Sequence, residues 1–133
     1  MRKDVTMSTN IRIIHAHDFI RATPEGPLDL EKAKDMLLEI TCAAAPLADY
    51  EIILDLRKAQ AAMSTTDLWY LATALSDLRK AFSRHKTAVL CPLGQFDQAG
   101  FFALCAQNRG FTVRAFNSFE DAIEWLTEMG PDV

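Results

Sequence analysis

The sequence is short of the features on which a functional assignment usually rests, and each shortage excludes something. Charge of one sign does not dominate. The 14 lysines and arginines stand against 18 aspartates and glutamates, a net charge of -4, which leaves no basic footprint for nucleic acid. No apolar run approaches the roughly 18 residues that cross a bilayer. The opening Met1–Asn10 is polar and lacks the apolar core of a secretory signal, so residues 1–10 read as a flexible N-terminus and a cytoplasmic location is expected. Cysteine is limited to Cys42, Cys91 and Cys105. An odd count without C-x-x-C spacing reads as reduced, buried thiols rather than a disulfide frame. Neither G-x-G-x-x-G nor a Walker pattern occurs, so Gly94 in Leu93-Gly94-Gln95-Phe96 reads as a turn of positive φ rather than a phosphate cradle. His15 and His17 would share a strand face, but no third ligand lies near them in sequence. No metal site and no cofactor are expected.

What is present is the ordinary balance of a globular domain, with 50% hydrophobic and 24% charged residues. At 133 residues one core suffices without staples, and residues 11–130 read as a single domain. Ile11–His15 and Phe19–Ala22 are short and rich in branched residues, which predicts two antiparallel strands. Pro24-Glu25-Gly26-Pro27 then stops regular structure. Asp29 caps a helix whose Leu30, Ala33, Leu37, Ile40 and Ala44 fall on one stripe, ended by Pro46.

The run Tyr50–Leu56 is almost continuously apolar, the pattern of a strand covered on both faces. Ser64 or Thr65 caps the next helix, with Ser64-x-x-Asp67 close to a capping box and Leu68, Leu71, Ala72, Leu75, Leu78 and Phe82 inward. Thr87–Cys91 is a further strand, and a helix from about Asp97 to Asn108 ends near Gly110. Phe111–Phe116 alternates as an edge strand does. Ser118 caps a last helix with Phe119, Ala122, Ile123 and Leu126 inward, ended by Gly130-Pro131. The order is β-β-α-β-α-β-α-β-α. Strand–helix–strand units need parallel neighbours, so the fold class is α/β with a mixed sheet, antiparallel at its start and parallel afterwards.

The string of elements resembles the STAS fold of anti-sigma factor antagonists, the SpoIIAA-like proteins. Four segments carry the likeness: Gly26-Pro27-Leu28-Asp29, Ile52-Ile53-Leu54-Asp55-Leu56, Thr87-Ala88-Val89-Leu90, and Val113-Arg114-Ala115-Phe116 followed by Phe119–Leu126. The closing Arg-x-Phe strand with a Glu-x-Ala-x-x-Trp-Leu helix is the most specific of them. The resemblance implies a single STAS-like domain acting as a non-catalytic binding or signalling module for a protein partner or a small apolar or anionic ligand. In signalling members a phosphorylatable serine opens the helix after the second long strand, inside an Asp-Ser-Ser-Gly-like motif. Here that place reads Met63-Ser64-Thr65-Thr66-Asp67, without the preceding Asp or the following Gly.

Crevices in open α/β sheets form at the carboxyl ends of the strands. The candidate site residues there are Asp55, Arg57, Ser64, Thr65, Thr66, Gly94, Gln95 and Ser118, with Ser64 or Thr65 as phospho-acceptor candidates at a helix N-terminus. Trp69, Tyr70 and Trp125 flank their helices' inner stripes and are the interface candidates, two-fold self-association being the simplest form. The rival readings are a small enzyme using Cys91 or Asp55 at the strand ends, and a purely structural homo-oligomer.

Overall fold

Strand pairing organises the molecule, and the helices follow from how the strands must be joined. The computed structural model describes residues 9–14, 19–82 and 85–128. The elements are β1 (Thr9–Ile14), β2 (Phe19–Pro24), β3 (Gly26–Leu28), α1 (Leu30–Ala44), β4 (Glu51–Asp55), β5 (Ala59–Ala61), α2 (Thr65–Ala74), α3 (Arg79–Phe82), β6 (Thr87–Leu90), α4 (Phe96–Gln107), β7 (Val113–Phe116) and α5 (Phe119–Thr127). The main sheet runs β1-β2-β4-β6-β7. β1 is antiparallel to β2, while β2, β4, β6 and β7 are mutually parallel. The expected mixed α/β sheet is therefore present. Thr9 and Asn10 already belong to β1, earlier than the sequence suggests. His15, His17 and Gly130-Pro131 lie outside the described residues.

The proline-rich segment departs from expectation. Instead of ending all regular structure, Gly26–Leu28 forms β3 and pairs in parallel with β5 as a separate two-stranded sheet. The Gly26 N–H donates to the Lys58 carbonyl and the Ala62 N–H to that of Leu28. This phasing points Gly26 and Leu28 at the partner strand and Pro27 away from it, so the N–H that proline lacks is not required. Gly26 enters with φ +81°, a conformation that favours glycine.

Side chains alternate across the strands and so divide the core in two. Ile20, Ala22, Ile52, Leu54, Val89 and Val113 face α1, α2 and α4 in the large cluster. Phe19, Ile53 and Ala88 face Ala122 and Leu126 of α5 in the small one. Ile52–Leu54 is thus covered on both faces, as the continuous apolar run requires. The helix after β5 is not one rod: Leu75–Leu78 tightens into a 3-10 turn before α3. Gly110, at φ +90°, turns the chain out of α4. Gly94 corrects its sequence reading, since it sits in a 3-10 turn, outside the positive-φ region, with open space around it.

Candidate functional site

The topology sends β4, β6 and β7 to a common carboxyl edge, where Asp55, Arg57, Gly94, Gln95 and Ser118 all lie. They do not form one cluster, because the sheet separates them.

On the α5 side, Asp55 ends β4 with its side chain only 3% exposed. A carboxylate buried so deeply needs charged partners, and it has two. Arg21 of β2 donates through Nη2 at 2.6 Å, and Arg57 grips it through Nε and Nη2, both at 2.9 Å. The Arg57 backbone N–H adds a bond at 3.2 Å. Burial, the largest single influence, pushes the Asp55 carboxyl up. The hydrogen bonds from Arg57 and Arg21 outweigh it and hold the group at about 2, below its ordinary 3.8. Phe119 at the start of α5 closes the cluster, its ring lying 5.5 Å from the Arg21 guanidinium and 5.6 Å from that of Arg57. Arg21 and Phe119 are the members that sequence reasoning missed. The available signal was Asp55 itself: a carboxylate ending a buried apolar run has to find cations, and Arg21 is in the neighbouring strand.

On the other side of the sheet lies an apolar pocket of about 40 Å³, under α1, α2 and α4. Met36, Leu37, Met63, Leu71 and Phe102 form much of its wall, and Leu28 and Ala61 of the small sheet close one end. Gln95 and Gln98 are the polar side chains among its lining residues. Cys91 reaches it from the end of β6. That thiol is 1% exposed, its Sγ lies 3.5 Å from the Phe116 carbonyl, and burial pushes its pKa up to about 11. It is therefore protonated at neutral pH and closed to solvent, the reverse of an activated nucleophile. His85 belongs to the opposite end of β6, where its ring stacks on Tyr50 at 3.8 Å.

Ser64, Thr65 and Thr66 are exposed at the start of α2. The capping box is complete: the Asp67 N–H donates to Ser64 Oγ, and the Ser64 N–H donates to the Asp67 carboxylate, each at 3.1 Å. Asp67 brings its own negative charge to the positive end of this helix. Arg57 is engaged with Asp55. Ser118 caps α5, accepting the Asp121 N–H at 3.3 Å.

The aromatic candidates separate as well. Trp69 and Tyr70 are 45% and 52% exposed on α2, meeting edge to face at 5.2 Å. Arg109 lies over Trp69 at 5.0 Å. Trp125 is half-buried on α5, across the sheet, packed beside Phe116 and under Lys86. One surface containing all three is not formed. Among the described residues no group of His, Cys, Asp and Glu is placed to hold a metal ion, and no helix is long and apolar enough to cross a membrane.

Two solved structures share this architecture over nearly the whole chain. One is an uncharacterized protein from the DUF3478 family with a SpoIIAA-like fold, from Shewanella loihica PV-4. Its TM-score is 0.59 at 16% identity, covering 95% of this chain and 98% of that one. The other is the anti-sigma factor antagonist SpoIIAA in its unphosphorylated form, with TM-score 0.55, 15% identity, and 91% and 99% of the two chains covered. No protein-family model and no curated protein sequence matches the chain. The fold is SpoIIAA-like, in agreement with the resemblance that the four sequence segments carry.

Proposed function

We propose that this chain is a non-catalytic binding module whose ligand seat is the apolar pocket beneath α1, α2 and α4. The observation that carries the reading is the wall of that pocket, aliphatic, aromatic and thioether side chains with Gln95 and Gln98 as its polar groups. Apolar cavities of this kind stay dry and accept apolar guests. At about 40 Å³ the pocket suits the end of an aliphatic chain rather than a whole ring. Met36 and Met63 in the wall are unbranched and adaptable, so a longer chain enlarges the seat by rotamer change. The likeness to an anti-sigma factor antagonist supports a binding role through the fold.

The electrostatics speak against chemistry by the two groups best placed for it. Cys91 is held as a thiol, and Asp55 is saturated by two arginines. On this reading the Ser64 hydroxyl serves the helix start rather than a phosphate. The unbridged Cys42, Cys91 and Cys105 suit a reducing cytoplasm. Native mass spectrometry of freshly isolated protein tests the proposal. A discrete low-mass apolar adduct, lost when Ala99→Leu fills the pocket, is expected. The same adduct retained in the Ala99→Leu protein contradicts the assignment of the seat.

A further inference from the structure

The outer edge of the sheet lies apart from the apolar pocket. Among the described residues β7 is an edge strand, paired only with β6. The Thr87 N–H donates to the Thr112 carbonyl and the Cys91 N–H to that of Phe116. With Thr87 opposite Val113 and Val89 opposite Ala115, the parallel phasing turns the backbone groups of Arg114 and Phe116 toward β6. Those of Val113 and Ala115 point out of the sheet. The Val113 carbonyl is closed off by Gln107, whose Nε2 donates to it at 2.7 Å. Ala115 has no such cover among the described residues, so its N–H and C=O form an open docking pair.

This pair lines a groove of about 670 Å³ between β7 and α5. Asp121 and Glu124 of α5 and Glu128 just past its end line the same groove, and none of them makes an ion pair among the described residues. Arg114 is the groove's cation, and its guanidinium rests on the rings of Phe116 and Trp125 at 5.3 and 5.9 Å. Three carboxylates against the Arg114 guanidinium, with Lys86 Nζ donating to the Trp125 and Glu128 carbonyls at 2.8 and 3.2 Å at the groove's end, leave a small excess of negative charge. The spacing of Asp121 and Glu124 places them on one side of α5, and Glu128 follows just past its end, where the backbone is extended.

The geometry points to strand addition: β7 accepts an extended basic peptide segment, which pairs with the backbone of Ala115 and presents alternate Lys or Arg side chains to Asp121, Glu124 and Glu128. A second copy of this chain is a poor occupant, because pairing β7 with β7 brings two acidic grooves together. Strand addition takes its affinity from main-chain hydrogen bonds and its selectivity from alternate side chains.

The test is an NMR titration of the isotope-labelled full chain at low ionic strength. The probes are acetyl-Lys-Val-Lys-Val-Lys-Val-amide, its Glu-for-Lys counterpart, and two N-methylated isomers of the lysine peptide. One isomer is methylated at its valine nitrogens and the other at its lysine nitrogens. The expected result is saturable movement of the Ala115 and Asn117 amide signals with the lysine peptide and none with the glutamate peptide. One N-methylated isomer, the one whose blocked edge faces β7, is expected to lose binding. D121N/E124Q is expected to weaken the lysine peptide roughly tenfold, as two partly exposed ion pairs would. Equal binding by both N-methylated isomers and the unmodified peptide overturns strand addition and leaves only charge attraction to α5. An unmoved Ala115 signal at saturation, or tight binding of the glutamate peptide, also overturns it.

Discussion

The two faces of the sheet are covered in different ways, and the contrast explains where this fold is rigid and where it has room. Under α1, α2 and α4 the core is broad, but it leaves an apolar void at the carboxyl end. Under α5 the core is five buried residues, Phe19, Ile53, Ala88, Ala122 and Leu126. The second face compensates for its small apolar area with charge: Asp55 ties Arg21 of β2 to Arg57, and Phe119 of α5 lies against both guanidinium groups. A face closed by one helix is pinned electrostatically, whereas a face closed by three helices keeps a seat for a guest.

The largest effect expected from breaking this contrast is at Asp55. Removing one partner of a buried charge cluster leaves the other uncompensated, so Asp55→Ala is expected to cost about 3 kcal/mol in urea unfolding. The pH dependence carries the same signature. The folded-state pKa of about 2 lies below the ordinary 3.8. The stabilisation is therefore complete above roughly pH 5 and is lost as pH falls through the folded value. Asp55→Asn is expected to remove about 2 kcal/mol of the acid-side loss of stability seen in the parent protein. Identical acid-side slopes in the two proteins would show that the cluster contributes nothing.

A matched pair of substitutions sharpens the comparison at intermediate size. Ala99 and Ala122 are both buried helix residues, one lining the void and one facing the sheet under α5. Enlarging a residue in a filled core costs about 1–3 kcal/mol. Ala122→Leu is expected to fall in that range, while Ala99→Leu is expected to change stability by less than about 0.5 kcal/mol because the void absorbs the added carbons. Equal losses, read from thermal unfolding, would mean that the two faces are packed alike.

The smallest effect is at the helix starts. Ser64→Ala removes one arm of a reciprocal capping box, and Ser118→Ala removes a single longer bond. Each is expected to cost about 1 kcal/mol, with Ser64→Ala the larger. A wholly silent Ser64→Ala in chemical unfolding would remove the capping assignment.

Much of this architecture is legible in the sequence, because the signals that carry it are local. Asp29, Ser64 and Ser118 mark three helix starts, and all three act as N-caps. The unbroken Ile52–Leu54 run marks a strand buried on both faces. The small β3–β5 sheet was hidden because two prolines flank Gly26, and only the pairing phase shows that Pro27 needs no N–H. Gly94 was misread because a glycine after a strand fits a 3-10 turn as readily as a positive-φ turn. The Arg21–Asp55–Phe119 grouping joins residues 34 and 64 positions apart in sequence, and no local pattern links them. The pocket is harder still to foresee, since its wall is made of ordinary core residues from three helices, the main sheet and the small sheet.

The central claim is that the void under α1, α2 and α4 is a seat for an aliphatic group. It is tested most directly by following side-chain methyl signals while straight-chain alcohols of increasing length are added. The Met36 and Met63 methyls report on the void, and the Ile123 methyls report on the opposite face. Saturable shifts at Met36 and Met63, absent at Ile123 and abolished in the Ala99→Leu protein, are the expected result. Met36 and Met63 signals that stay in place at every chain length, or that move equally in the parent and Ala99→Leu proteins, would contradict it.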